Sequence, residues 1–308
     1  MATGDPGGAD MSTTKKGRAG AAVLAIAAGI GFADAVGAAD SGDPIKLTLH
    51  DWTGQLVTTR LMGEALKAAG YTVVDPATVV EVWGVESDYG RIFGKRPLLV
   101  SLATLSCEGR RQPFFRGEFI TTLRLLQAGD IQADGLTGSW AGAFGHTQFM
   151  PSTYERIAVD FDGDGRRDLV GNIPDALAST ANYLKQSGWR TGQPWGFEVR
   201  VPQGFDASLA GRTSRRPLSD WAARGVRRFD GSPLVAGGVA ADTRSALLLP
   251  AGPRGPAFVV LRNYDAIYSY NAAESYALAI AFLAERLRGG NVPQAAWPTD
   301  DPGLSRAQ

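Results

Sequence analysis

The chain has 308 residues, 44% hydrophobic and 20% charged, and its formal charges cancel. That composition can build a core and excludes a chain disordered throughout. Zero net charge without a dense Lys/Arg stripe excludes a nucleic-acid footprint, and the pairs Arg110-Arg111, Arg215-Arg216 and Arg227-Arg228 read as solvated faces.

In chain order, Lys15, Lys16 and Arg18 precede a small apolar run from Ala19 to Phe32, and Val36-Gly37-Ala38-Ala39 offers small residues for cleavage. This is the pattern of a secretory signal, so residues 1–39 are expected to be an upstream extension plus a cleaved signal peptide, and the protein periplasmic. The run is short and alanine-rich for a spanning helix, with an uncleaved anchor as the alternative. No cysteine follows it, which excludes a lipoprotein anchor. Lys46 to His50 alternates like a strand. Thr53 to Ala69 has helical spacing at Leu56, Leu61, Met62 and Leu66, and Gly70 stops it.

Asp75 and Pro76 open the next helix, Asp75 as N-cap and Pro76 at the first helical position. Val79, Val80, Val82, Trp83 and Val85 follow, with Gly90 as the expected stop. Leu98 to Cys107 and Phe114 to Ala128 read as two further helices. Cys107 is the only cysteine, so no intrachain disulfide forms, and its apolar surroundings suggest a buried position. Gly135 to Gly145 is a glycine-rich loop, Pro151 to Ala158 a short helix and Pro174 to Ser187 a longer one. Past Gly192 the texture changes. Trp195 to Val201 alternates like a strand, Pro217 to Gly225 holds a short helix, and Ala246 to Pro250 and Ala257 to Arg262 are strands around a Gly/Pro turn. Ala272 to Leu287 is a helix with Tyr276, Ile280, Leu283 and Leu287 on one face, and residues 291–308 form a Pro-rich tail. The fold class is mainly α (α+β), with a small β insert near residues 195–262.

Three features carry chemistry. Glu86 lies near the C-terminal end of its helix, where the negative end of the dipole disfavours its ionised form. Burial beside Trp83 and Tyr89 would act in the same direction. A raised pKa is what a general acid needs near neutrality; a solvated glutamate at a helix end is the alternative. Most glycosidases use two carboxylates, yet Asp88 points away and no acid occurs from Gly138 to Met150. A lone Glu86 therefore needs an internal nucleophile or a water it activates itself. His50 and His146 are the only histidines, which argues against a His-based triad or a multi-His zinc site. Second, Asp160, Asp162, Asp164 and Asp168 occupy positions 1, 3, 5 and 9 of an EF-hand-like loop with Gly165 at position 6. Arg166 would offer its carbonyl, and Asp175 would replace the glutamate missing at position 12, where Gly171 stands. An acidic turn held by Arg166 and Arg167 is the alternative. Third, Tyr183, Tyr264, Tyr268, Tyr270 and Tyr276, with Asn182 and Asn271, suit either sugar faces or a core.

Jointly these residues resemble the lytic murein transglycosylase B family. The matching runs are Trp83 to Gly90, Leu102 to Ser106, Arg110-Arg111, Gly138 to Ser152, Ala158 to Asp168, Asn182 to Leu184, and Tyr270-Asn271 with Tyr276. The resemblance implies a lysozyme-like helical catalytic domain over residues 76–290 that acts on peptidoglycan glycan strands and needs no cofactor for its chemistry. It implies Glu86 as sole catalytic acid and base, forming a 1,6-anhydro sugar. It assigns Ser139, Gln148, Tyr183, Tyr270, Asn271 and Tyr276 to substrate binding. Asp160, Asp162, Asp164, Arg166 (through its backbone) and Asp175 would hold a structural calcium ion. A monomer is expected, with other cell-wall enzymes as partners. Residues 44–74 instead resemble the start of periplasmic quaternary-amine-binding proteins. A hydrolytic muramidase and an inactive, truncated family member remain as alternatives.

Overall fold

A computed structural model describes residues 75–236, 238–291 and 293–299. The signal segment, the strand at Lys46–His50, the helix at Thr53–Ala69 and the amine-binding resemblance lie outside the described residues.

The first described helix, α1 (Pro76–Ser87), starts as its sequence dictates: Asp75 accepts a hydrogen bond from the Thr78 amide at 3.2 Å, and Pro76 stands where no N–H is needed. Nearly every side chain up to Trp83 is buried. The helix packs against α5 (Ile173–Gln186) and α8 (Glu274–Leu287). A helix covered on several sides has no polar face, which explains its almost unbroken apolar run.

A second layer comprises α2 (Leu98–Cys107), α3 (Gln112–Ala128) and α4 (Pro151–Ile157). Leu98, Leu102, Phe115 and Leu125 from this layer enclose Phe144, Phe149 and Tyr154. Before α2, β1 (Arg96–Pro97) pairs antiparallel with β2 (Thr137–Gly138) and anchors the glycine-rich loop. Cys107 is exposed, contrary to expectation. The buried stripe of α2 runs Leu98, Leu102, Ser106, one residue every four, and Cys107 falls off it.

The β insert is a five-stranded antiparallel sheet in the order β4 (Arg216–Pro217), β6 (Arg244–Leu248), β7 (Ala257–Val260), β3 (Gly196–Arg200), β5 (Arg227–Arg228). Strands β6 and β7 are buried along nearly their whole length, so they read as continuous apolar runs. Ala246, Leu248, Phe258 and Val260 join Trp195, Val82 and the helices α7 (Arg262–Tyr268) and α8. Leu247, Ala257 and Val259 face the other way, against Leu218 and Trp221 of α6 (Leu218–Ala223). Three arginines expected on solvated faces are structural instead. Arg215 pairs with Asp265 at 2.5 Å, Arg216 with Asp220 at 3.2 Å, and Arg228 lies 4.0 Å above the Phe197 ring. Helix α7 was not expected from the sequence: the strand read over Ala257 to Arg262 ends at Val260, and Leu261 caps the helix that starts at Arg262. The buried stripe of α8 runs through Ala277, Ile280, Ala281, Ala284 and Leu287. Tyr276 and Leu283 are half-buried.

Candidate active site

Glu86 is fixed by how α1 ends. The helix stops at Ser87, three residues before Gly90, because Asp88, Tyr89 and Gly90 all turn left-handed, with φ of 50°, 54° and 85°. Left-handed non-glycine residues carry strain and persist where their surroundings enforce them. At Gly90 a side chain is excluded by space as well, since a Cβ would sit 2.5 Å from Cε1 of His146. His146 secures the turn. Its Nδ1 accepts from the Trp83 indole at 3.1 Å, and its carbonyl accepts from the Ser87 hydroxyl at 2.6 Å. The same hydroxyl accepts from the Gly90 amide at 3.0 Å.

Glu86 is half-buried, and Tyr276 donates its hydroxyl to Oε1 at 2.5 Å. Burial raises the Glu86 pKa, and the Tyr276 hydrogen bond pulls part of that back. The groups expected to surround it, Trp83 and Tyr89, are engaged elsewhere: Trp83 bonds His146, and Tyr89 donates to Glu81 at 3.4 Å. Aromatic partners come instead from the far end of the chain. Tyr276 stacks on Tyr270 with ring centroids 6.5 Å apart, and Tyr183 lies 4.7 Å from Tyr270. Tyr270 donates to the Thr147 carbonyl and Tyr183 to the Ser269 carbonyl, both at 2.6 Å. Burial and the Glu86 charge push the Tyr270 and Tyr276 phenols well above their ordinary range, so both stay protonated donors.

Three of the sequence-derived tyrosines thus gather around Glu86. Asn271 is exposed beside Tyr270. Tyr264 is fully buried in the core and donates to the Glu274 carbonyl, while Tyr268 lies under the Arg212 guanidinium at 3.8 Å. Asn182 braces the Ile157 carbonyl at 2.8 Å. Ser139 and Gln148 shape the loop: Ser139 Oγ accepts from the Ala143 amide at 3.1 Å, and the Gln148 side-chain amide donates to the Gly145 carbonyl at 2.9 Å and that of Phe93 at 3.3 Å.

Two buried acids escaped the sequence reading. Glu118 accepts from the Ser152 amide at 2.8 Å and its hydroxyl at 2.6 Å, capping α4 from a neighbouring helix. Glu81 is 3% exposed, with Tyr89 as hydrogen-bond partner, and burial pushes its pKa up to about 7. An acid inside an apolar helical run was the available signal for both.

In the acidic loop, Asp160, Asp162 and Asp164 bring carboxylate oxygens within 4.8 Å of one another. Asp160 accepts from the Gly163 and Gly165 amides, Asp162 from Asp164, and Asp164 from Arg166, so the carboxylates fold the backbone around themselves. Asp175 closes the loop from the protein interior rather than joining the three. Its two oxygens accept from the Phe161 and Asp168 amides, each at 2.8 Å. Arg167 turns away to Asp130 at 3.0 Å, and among the described residues neither Arg166 nor Arg167 forms an ion pair with a loop aspartate. Three carboxylates this close together are a donor set that a hard cation would suit.

The Transglycosylase SLT domain family profile matches residues 61–285. The match begins inside the 44–74 segment, so its second half is covered by this family rather than by amine-binding proteins. Membrane-bound lytic murein transglycosylase B of Escherichia coli (strain K12) is 36% identical over 227 residues, which is 69% of this chain and 56% of that relative. The chain therefore spans little more than half the length of that curated relative. The structure is also similar to that of SltB3 from Pseudomonas aeruginosa in complex with NAG-anhNAM-pentapeptide, with a TM-score of 0.77 and 49% identity over 83% of this chain and 67% of that one. Escherichia coli Slt35 in complex with calcium gives a TM-score of 0.67 and 32% identity over 79% of this chain and 75% of that one.

Proposed function

The chain belongs to the transglycosylase SLT domain family, and from that premise we propose that it is a lytic transglycosylase. Its substrate is the β-1,4 bond between N-acetylmuramic acid and N-acetylglucosamine in peptidoglycan, and its product is a 1,6-anhydro-muramic end. One observation carries the reading: Glu86 is held half-buried at a helix end with a raised pKa, and its hydrogen-bond partner is a phenol.

Protonated Glu86 gives its proton to the glycosidic oxygen, and the bond from that oxygen to the muramic C1 breaks. The substrate's N-acetyl group stabilises the cationic centre. The muramic 6-hydroxyl then attacks C1 and its proton passes to the Glu86 carboxylate, restoring the acid; no water is consumed. Tyr276 holds the carboxylate between the two transfers, because its phenol remains protonated throughout. The rings of Tyr183 and Tyr270, with Asn271 beside them, offer a wall suited to sugar faces and hydroxyls. Ser139 and Gln148 keep the opposite loop in shape. The anhydro sugar bound to SltB3 supports the same outcome here. Mass spectrometry of a digest of purified sacculi tests it: anhydro-muropeptides support transglycosylation, whereas products heavier by one water make the enzyme a muramidase and overturn the proposal.

The acidic loop is assigned to structural calcium, with Asp160, Asp162 and Asp164 as carboxylate ligands and the Arg166 carbonyl beside them. Burial raises the Asp175 pKa, and the charges of Asp162 and Asp160 nearby add to the rise. The ion would order the loop and take no part in the proton transfers. We place the enzyme in the periplasm on the strength of its N-terminal signal pattern and its substrate. Among the described residues no helix is long and apolar enough to cross a membrane.

A further inference from the structure

We infer that His146 is a positioning residue for the reaction, pinning the last turn of α1 through its ring and its carbonyl and so holding Glu86 against Tyr276. The inference rests on the transglycosylase reading for its meaning, but its geometry stands apart from it.

Glu86 lies between the two anchored positions. Trp83, one turn earlier, donates its indole to Nδ1 of His146, and Ser87, the next residue, donates its hydroxyl to the His146 carbonyl. His146 is itself immobilised. It is 7% exposed, and Phe93 meets its ring edge-on at 4.6 Å. Its amide donates to the Leu169 carbonyl at 2.8 Å, tying the pin to the segment that follows the acidic loop. Without the pin, the left-handed Asp88 and Tyr89 keep their strained backbone only through the turn's own amide bonds, from Asp88 to the Gly84 carbonyl and from Ile92 to that of Ser87, and the helix end loosens.

The pin also fixes the histidine's protonation. A ring nitrogen that accepts from an indole N–H carries no proton, so the other nitrogen does, and the imidazole is neutral. An imidazolium would set two donors against each other. Burial lowers the His146 pKa in the same sense, while the Asp168 charge opposes it.

The test reads the titration of the Glu86 carboxyl by carbon NMR, its signal assigned by its loss in Glu86→Gln. Besides Tyr276, the titratable groups that act across this site are Tyr270 and Tyr183. In His146→Phe the Trp83 indole loses its acceptor and the helix end loosens. Water then reaches Glu86, and because burial is the larger influence on it, its titration moves down toward the ordinary carboxylate range. The kcat for glycan release falls about 100-fold with KM little changed, as expected for a misplacement of roughly 1 Å. His146→Asn, whose side-chain oxygen can accept from the indole, returns the titration to its wild-type position. An unshifted titration in folded His146→Phe, or a shift that Asn does not reverse, overturns the inference. Should His146→Phe fail to fold, Trp83→Phe and Ser87→Ala each remove one arm, and unchanged Glu86 titration in both overturns it equally. Wild-type protein that releases no anhydro product would sink the proposed function and leave the titration test intact.

Discussion

Glu86→Gln is the substitution with the largest consequence for the reaction. Gln keeps the size of the side chain and an oxygen that can accept from Tyr276 at the position of the present 2.5 Å bond. It removes the titratable proton that both proposed transfers require. General acid–base catalysis contributes about 10²–10⁴-fold per group, and here the loop from Gly138 to Met150 contains no acid to stand in. The loss is therefore expected at the upper end, about 10⁴-fold in kcat or about 5 kcal/mol of barrier. Stability moves the other way. The raised pKa means that the folded state favours the protonated acid, so this contribution is complete below the ordinary value of 4.5 and is lost as pH rises through the folded-state pKa. A neutral amide escapes that loss. Glu86→Gln should match wild type in Tm at about pH 4 and exceed it at about pH 8. The assay pairs anhydro-muropeptide release from sacculi with thermal unfolding at both pH values. Release within about tenfold of wild type by a folded variant would refute the catalytic argument.

Three other substitutions probe separate parts of the structure. Tyr276→Phe removes the hydrogen bond that lowers the Glu86 pKa, so the alkaline limb of the pH–rate profile should move to higher pH while kcat falls about tenfold; a limb that moves down contradicts the account. Asp160→Ala should abolish stabilisation by calcium. A ligand at 100 times its Kd adds about 2.7 kcal/mol, worth roughly 5–10 °C in a domain of this size, and equal melting of wild type with calcium and with chelator counts against the site. Glu81→Gln should leave stability unchanged at about pH 4 and add about 3 kcal/mol at about pH 8, because Glu81 is buried with its pKa pushed up to about 7 and its contribution is lost as pH rises through that value. Urea unfolding at the two pH values measures it, and equal gains at both would rule out titration as the cause.

The legible parts of the chain were those set by local rules. Asp75 and Pro76 announce α1, and the apolar strands and helix ends fall within a few residues of where the pattern puts them. Loop spacing pointed to an acidic cluster, and Asp160, Asp162 and Asp164 do converge, whereas Asp175 binds the Phe161 and Asp168 amides instead. What escaped depends on long-range packing. Strands of two residues, such as Arg96–Pro97 and Arg227–Arg228, have no periodicity to detect and exist because a partner strand reaches them. The phenol on Glu86 lies 190 residues away, whereas reasoning by proximity chose Trp83 and Tyr89. Cys107 was misjudged because an apolar neighbourhood in sequence does not say which face of a helix is covered.

A site with one carboxylate has to solve a problem that a pair of acids divides between them. In the proposed mechanism the residue must hold its proton before bond cleavage and carry a negative charge after it, so no single fixed environment is ideal. Burial alone would favour the first state and penalise the second, and full solvation would do the reverse. Here the two influences on Glu86 act in opposite directions: burial raises its pKa, and the Tyr276 phenol lowers it. The phenol is suited to that task because burial and the Glu86 charge raise its own pKa, so it cannot surrender its proton when Glu86 ionises. A second carboxylate in place of Tyr276 would repel the ionised form and fix Glu86 as an acid. Tyr270, stacked on Tyr276 and tied to Thr147, holds this donor in register with the loop that His146 pins to the other side of α1. The helix end that carries Glu86 is therefore gripped from two sides, by α8 through the phenol and by the glycine-rich loop through the histidine, and its proton affinity follows from how well both grips hold.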